Sequence, residues 1–328
     1  MATFLEKALD PLKYFFWKAQ IRVLRACPPL GDFVIRRHAD AMNSRKVWVK
    51  ILFRLVLRMP GMVCRHWRNQ RENRVELPRV SILVTTRCTL RCDKCQAHIP
   101  DLKSRRDMPT NDLIHDIRSL LSCVDYIYGV VFTGGEAFLH PDFDQIIRVC
   151  GASDKVDYLC VATNGTVIPD AKLLAALREA KVKVFISGYP PALQPDVEKL
   201  KLLLEENGIF YSHDSRASWY DLGDFGQLQA GPEKRRFRVC SQQASCLPYL
   251  NGKLHLCTES ALLMEEGLIP DCKADYIDVR AACAAAFRGQ WRALLKRRAV
   301  SACAYCLGCT YKTPRVPVAM QRGPSGGN

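Results

Sequence analysis

The sequence lacks a secretory leader pattern: Glu6 and Asp10 interrupt its first residues, and the apolar run Tyr14 to Trp17 is too short for a signal-peptide core. Acid is also in short supply, with 33 Asp and Glu against 48 Lys and Arg in 328 residues. The imbalance is local. Residues 1–80 hold 17 basic residues against 6 acidic ones, a net +11 out of the chain's +15. Such a segment suits an anionic lipid surface, a nucleic acid or an acidic protein. What the sequence has in abundance is cysteine, 16 in all. Without a secretion signal, clustered CxxC spacings point away from disulfides and toward metal binding in a reducing cytoplasm. Cys123, Cys150 and Cys160 lie in apolar stretches and read as ordinary buried residues.

Cys88, Cys92 and Cys95 form a C-x3-C-x2-C run directly after the apolar β-like stretch Val80 to Val84. Three thiolates so placed can hold three irons of a cubane and leave the fourth iron open for chemistry. CxxC-type runs also bind zinc or mark redox dithiols. Downstream, Val130 to Glu136 reads as a buried strand ending in Gly134-Gly135-Glu136. Tyr158 to Ala162 ends in Thr163-Asn164-Gly165, and Val182 to Ile186 ends in Ser187-Gly188. Each run precedes an amphipathic helical stretch, so polar residues recur at one end of successive βα units. Parallel α/β barrels place their active sites there.

On these residues the chain resembles the radical S-adenosylmethionine (radical SAM) enzymes, over roughly residues 79–235. The resemblance implies an α/β fold, a partial (β/α)6 TIM-like barrel. It assigns Cys88, Cys92 and Cys95 to a 4Fe-4S cluster, and Gly134, Gly135 and Glu136 to the methionine amino group of S-adenosyl-L-methionine. Thr163, Asn164 and Ser187 fall where the family meets the ribose and carboxylate. Lys94 departs from the pattern, standing where the family has an aromatic near the adenine. Charge and geometry make Glu136 a reasonable acceptor for an ammonium, and the two glycines permit close backbone approach.

Ahead of the barrel, residues 1–78 form a basic amphipathic helical appendage. In 46–59, Lys46, Lys50, Arg54 and Arg58 recur every fourth residue among Trp, Ile, Leu, Phe and Val, and Pro60-Gly61 closes the run. The stretch is too short and too charged to cross a bilayer, which takes about 20 apolar residues, but suits the membrane interface. The stretch from Phe4 to Leu24 is similar. Packing of both on the barrel or on each other is the plain alternative. Nucleic acid fits less well, because the aromatics lie on the apolar face and not between the basic residues. The expected location is the cytoplasm, with peripheral contact at the inner face of the cell membrane.

A second cysteine set, Cys240, Cys246, Cys257, Cys303, Cys306 and Cys309, follows the barrel, with a hairpin signal at Asn251-Gly252. It resembles the SPASM or shorter twitch extension of radical SAM enzymes, in a small cysteine-rich α+β domain over 236–315. The full seven-cysteine pattern is not met. The resemblance implies one auxiliary cluster on Cys240, Cys257, Cys303 and Cys306, with Cys246 and Cys309 as alternates and zinc on the same thiolates as the plain alternative. Cys272 and Cys283 have no partner spacing and read as structural. Residues 316–328 read as a disordered tail.

The implied activity is reductive cleavage of S-adenosylmethionine to a 5′-deoxyadenosyl radical that takes a hydrogen atom from substrate. An electron donor such as flavodoxin or ferredoxin is implied with it. A small sugar-derived substrate, oxidised or epimerised, fits the short extension. The stretch Asn251 to Cys257, with Asp275 to Val279, also resembles radical SAM proteins of bacterial cell-surface polysaccharide gene groups. A peptide maturase is the alternative, although no winged-helix pattern for peptide binding is visible in 1–78. A non-catalytic iron-sulfur electron carrier is a third reading, and the Gly-Gly-Glu and Asn-Gly turns speak against it. Tyr189, His213, Asp214, Arg216, Trp219 and Tyr220 gather polar and aromatic character after the fifth strand and are pocket candidates.

Overall fold

The computed structural model describes residues 72–214, 218–242, 246–310 and 312–323. The basic stretches Phe4 to Leu24 and 46–59 lie outside them. The chain divides into two compact units, Met1–Val75 and Glu76–Asn328. Among the described residues no helix is long and apolar enough to cross a membrane.

The second unit opens with β1 (Glu76–Leu77) and β2 (Val80–Thr85), and α1 (Thr110–Cys123) leads to β3 (Tyr126–Ile127), which pairs with β1. Then β4 (Val130–Gly134), α2 (Phe143–Gly151), β5 (Leu159–Thr163), α3 (Ala171–Glu179), β6 (Lys183–Ser187), α4 (Val197–Glu206) and β7 (Tyr211–Asp214) alternate. The five strands β2, β4, β5, β6 and β7 pair in parallel in chain order. This is the α/β, partial TIM-like arrangement expected from sequence. The strands are apolar because helices cover them: Phe132, Val161, Val184 and Ile186 are fully buried. The helices answer with one apolar face each. Leu113, Ile117 and Leu120 of α1, and Phe143, Ile146, Ile147 and Cys150 of α2, are buried at helical spacing. Complete burial of each such side chain is worth about 2 kcal/mol. Asp170 starts α3 by accepting a hydrogen bond from the Leu173 amide at 2.8 Å.

After β7 come β8 (Ser218–Tyr220), α5 (Glu233–Val239), β9 (Leu247–Leu250) and β10 (Lys253–His255). Asn251 and Gly252, at φ 48° and 76°, make the expected tight turn between β9 and β10. The sixth parallel strand, β9, returns to the free edge of β2, and antiparallel β10 and β11 (Tyr276–Asp278) continue the same eight-stranded sheet beyond it. The expected boundary at 235/236 is therefore not a division of the fold, because the C-terminal strands hydrogen-bond directly to the barrel. Helices α6 (Thr258–Glu265) and α7 (Ala284–Leu295) and a 3-10 turn, Ser301–Tyr305, complete this part.

The expected disordered tail is also corrected. Strand β12 (Arg315–Pro317) pairs antiparallel with β8, and the chain then runs on to Gln321 and Arg322, which hydrogen-bond to the cysteine loop after β2. Sequence polarity alone misses this, because β12 pairs with the distant β8 and Gln321 and Arg322 bond to residues 221 to 230 positions away. Residues 324–328 lie outside the described set.

One buried carboxylate fixes the last cysteine group. Asp275 is fully buried and accepts from Arg297 Nη2 and from the Ser301 amide, both at 2.6 Å, anchoring the turn that carries Cys303. Asp275→Ala should therefore cost about 2–3 kcal/mol in urea unfolding, the range for hydrogen bonds to a charged group, and Asp275→Asn less. Equal stability of Asp275→Ala and wild type would show that this anchor is redundant.

Candidate active site

The site grows from the C-terminal ends of the parallel strands. Gly134 ends β4 at φ +151°, and a Cβ there would lie 2.1 Å from the Thr85 carbonyl oxygen. A Cβ on Gly135 would lie 2.0 Å from the Arg87 carbonyl oxygen. Only glycine permits this approach. It is cemented by the Gly135 amide donating to Thr85 O at 2.9 Å and the Glu136 amide to Arg87 O at 2.8 Å. The glycine turn is thereby zipped to the base of the loop that bears Cys88, Cys92 and Cys95.

Glu136 is fully buried and faces the next strand end. Its Oε1 accepts from Thr163 Oγ1 at 2.9 Å and the Phe138 amide at 3.1 Å, while Oε2 accepts from the Asn164 amide at 2.7 Å. Burial outweighs these bonds and raises its pKa to about 7. The carboxylate thus ties the two turns together from within. Asn164 carries the link onward, its Nδ2 donating to Thr89 Oγ1 at 3.0 Å and to Cys88 Sγ at 3.5 Å. Ser187, at the end of β6, joins through Gln194, whose Nε2 donates to Ser187 O at 2.7 Å and Asn164 O at 2.5 Å. No local pattern singles out Gln194, an amide in a short turn that only the fold buries.

The three loop thiols sense one another. Burial raises the Cys88 thiol, and Glu136 and Cys95 raise it further; burial with Cys95 and Cys88 raises Cys92 to about 11. Among the described residues no three Cys, His, Asp or Glu side chains are close enough to bind one metal ion. A cubane needs less crowding, since each of its irons takes one protein sulfur. Three cysteine thiols on one loop are the donor type that a cubane takes, one sulfur to each of three irons. Lys94 points away to ion pairs with Asp224 at 2.6 Å and Asp221 at 3.2 Å, which accounts for a cation where the family pattern has a ring.

The second set converges on one cavity with about 670 Å³ of empty space, mouth included. Cys240, Cys257, Cys303, Cys306 and Cys309 all line it. The Cys309 amide donates to Cys240 Sγ at 3.4 Å and the Gly308 amide to Cys306 Sγ at 3.2 Å, the kind of backbone support that thiolates need. Of the two alternates, Cys309 belongs here and Cys246 does not: Cys246 hydrogen-bonds with the Arg79 guanidinium, beside Tyr158. The two cysteine regions are bridged by His98, which donates to Glu259 Oε1 at 2.6 Å and lies 3.7 Å from Asp101. Burial opposes its charge, but Asp101 and Glu259 prevail and raise its pKa to about 9.

Among the pocket candidates, the Tyr189 phenol feels all three loop cysteines and its ring meets Trp219 edge-on at 5.7 Å. Tyr220 instead lies under the Arg315 guanidinium, 3.4 Å from its ring centre. His213 is exposed, Asp214 closes β7, and Arg216 lies outside the described residues. Cys283, expected to be structural, is exposed at the start of α7, where the Ala286 and Ala285 amides lower its pKa. A further pocket of about 590 Å³ adjoins the cysteine loop, sharing Gln96 and Thr258 with the five-thiol cavity. Among the described residues its lining is uncharged, with Ser81, Gln96, Thr133 and Thr258 set among apolar side chains.

Residues 82–200 match the family model described as the Radical SAM superfamily. A GTP 3′,8-cyclase from Chlorobaculum tepidum is 32% identical over 106 residues, 31% of this chain and 29% of that protein. The match thus spans less than a third of the relative's length. Among solved structures, BtrN in complex with AdoMet and 2-DOIA has 16% identity and a TM-score of 0.47, covering 71% of this chain and 93% of that one. SuiB of Streptococcus suis bound to S-adenosylmethionine has 18% identity and a TM-score of 0.37, covering 47% and 39%.

The buried carboxylate gives a pH test on the metal-free protein. Its raised pKa means that the stability it contributes is complete below about pH 4.5 and is lost as pH rises toward about 7. Relative to Glu136→Gln, wild type should lose about 3 kcal/mol of unfolding free energy across that window. A difference that does not change with pH would show that Glu136 ionises normally.

Proposed function

We propose, starting from a chain whose residues 82–200 are a radical SAM superfamily domain, that the protein is an enzyme acting on a small, uncharged, hydroxyl-bearing region of its substrate, a carbohydrate or nucleotide-sugar that it oxidises or epimerises. The observation that carries the reading is the docking of the Gly134-Gly135-Glu136 turn on the cysteine loop, which gathers Cys88, Asn164 and Thr163 around one point. Cys88, Cys92 and Cys95 would hold a 4Fe-4S cluster with one iron left for S-adenosylmethionine. When bound, these groups supply a carbon radical able to take hydrogen from an unactivated carbon.

The chain's own part is placement and exclusion of water. Gly134 and Gly135 let the cysteine loop dock on the end of β4, Glu136 holds the Thr163 and Asn164 turn in position, and Asn164 donates toward the Cys88 sulfur. Cys240, Cys257, Cys303 and Cys306, with Cys309 in reserve, would hold an auxiliary cluster beside the uncharged pocket. The neutral lining of that pocket supports a hydroxyl-rich substrate, because an ionic group there would be desolvated without a partner. A flavodoxin or ferredoxin would deliver the electron.

Protein reconstituted under anaerobic, reducing conditions should convert S-adenosylmethionine to 5′-deoxyadenosine, and Cys92→Ala should abolish this. Iron should reach about eight per chain if both sites hold cubanes. Four iron with one zinc would replace the auxiliary cluster by a structural metal, and a wild type that releases no 5′-deoxyadenosine would leave only an electron carrier. Nucleotide-sugars should raise the turnover of the cofactor; stimulation by peptides alone would reassign the substrate.

For the basic stripe at Lys46, Lys50, Arg54 and Arg58 we propose contact with an anionic membrane surface. Replacing the four by alanine in the full chain should abolish co-sedimentation with vesicles of anionic lipid. Unchanged sedimentation of this variant would refute the contact.

A further inference from the structure

The segment after β12 makes an unusual set of bonds. The Arg322 amide donates to Arg91 O at 2.9 Å and the Asp93 amide to Met320 O at 2.6 Å, so that 320–322 lies antiparallel along the middle of the cysteine loop. The Arg322 guanidinium grips Asp101 through two bonds, at 2.7 and 3.2 Å, and reaches Asp93 at 3.3 Å. Between these anchors the Gln321 amide is held at both ends. Its Oε1 accepts from the Arg91 amide at 2.9 Å, which fixes the orientation of the group, and its Nε2 donates to Ala319 O at 2.8 Å and to Cys92 Sγ at 3.2 Å. The fork is thus aimed at a sulfur from the far end of the chain.

We propose that Gln321 is a positioning residue that sets the reduction potential of the cluster held by Cys88, Cys92 and Cys95, with residues 319–322 acting as a strap that closes the cysteine loop. The inference rests on the proposed function, since it requires a cluster on these thiols. The physical reason is electrostatic. One-electron reduction adds negative charge that spreads onto the ligand sulfurs, and an N–H donor aimed at Cys92 stabilises the reduced form more than the oxidised one. The electron comes from the external reductant, and no proton need move. The strap also joins the two cysteine regions in sequence. Only the stretch 310–318 separates Cys309, in the wall of the five-thiol cavity, from the strap that rests on the loop of the first set.

The test is a reductive titration of the reconstituted full chain, followed by electron paramagnetic resonance of the first cluster, for wild type, Gln321→Glu and Gln321→Met. Gln321→Glu keeps an acceptor for the Arg91 amide and replaces the donor by an anion; Gln321→Met removes both and leaves the backbone bonds of the strap in place. At a fixed ambient potential the ratio of reduced to oxidised cluster should fall about tenfold in each variant, equivalent to about 59 mV for one electron. Undocking of the strap would do the opposite, because water admitted to the cluster favours its more highly charged, reduced form. A potential that is unchanged or raised in both variants, with a cluster assembled, overturns this proposal alone. Failure of wild type to assemble any cluster on Cys88, Cys92 and Cys95 overturns it together with the proposed function.

Discussion

The site depends on one close contact between two pieces of backbone. Gly134 and Gly135 pass so near Thr85 and Arg87 that any side chain on either would collide with a carbonyl oxygen. Two amide hydrogen bonds close the gap. The consequence is geometric: a loop bearing three cysteines, which by itself has no fixed position, is registered against the end of β4. The polar residues of β5 and β6 reach it from there only because the parallel sheet places all strand ends on one side.

From that contact a single polar network runs outward. Glu136 fastens the Asn164 turn, Asn164 reaches Cys88, and Gln194 ties Asn164 to Ser187. On the other side of the loop, Lys94 is held by Asp221 and Asp224, His98 by Glu259, and Cys92 by Gln321. Glu259 also lines the five-thiol cavity. The loop is therefore clamped by the barrel, by the segment after β8, by α6 and by the C-terminal strap. Multiple restraints of this kind hold the three thiols in place and would limit the reorganisation needed on binding a cluster.

Much of this was legible in the amino-acid sequence, for identifiable reasons. Buried parallel strands read as short apolar runs, so Val80 to Val84, Val130 to Thr133 and Val182 to Ile186 are visible without a structure, within a residue or two of their ends. The glycine pair and the cysteine spacing are local, and local constraints survive in sequence. The Asn251-Gly252 turn was legible for the same reason. What escaped was long-range. The return of β9 to the edge of β2 depends on which edge is free, and the docking of Gln321 and Arg322 depends on partners more than 200 residues away. Gln194 and Asp275 act through burial that the fold confers. The roles of Cys246 and Cys309 could not be separated by spacing, yet the structure puts only Cys309 at the cavity.

The central claim is that three sulfurs on a docked loop leave one metal corner open to the amino acid end of S-adenosylmethionine. It is tested most directly by electron–nuclear double resonance of the reduced, reconstituted protein with S-adenosylmethionine isotopically labelled at the amino nitrogen. The account predicts a hyperfine coupling to that nitrogen, which marks a direct bond to iron and vanishes in Cys88→Ala. A fully assembled cluster that shows no coupling to the bound, labelled cofactor would contradict it.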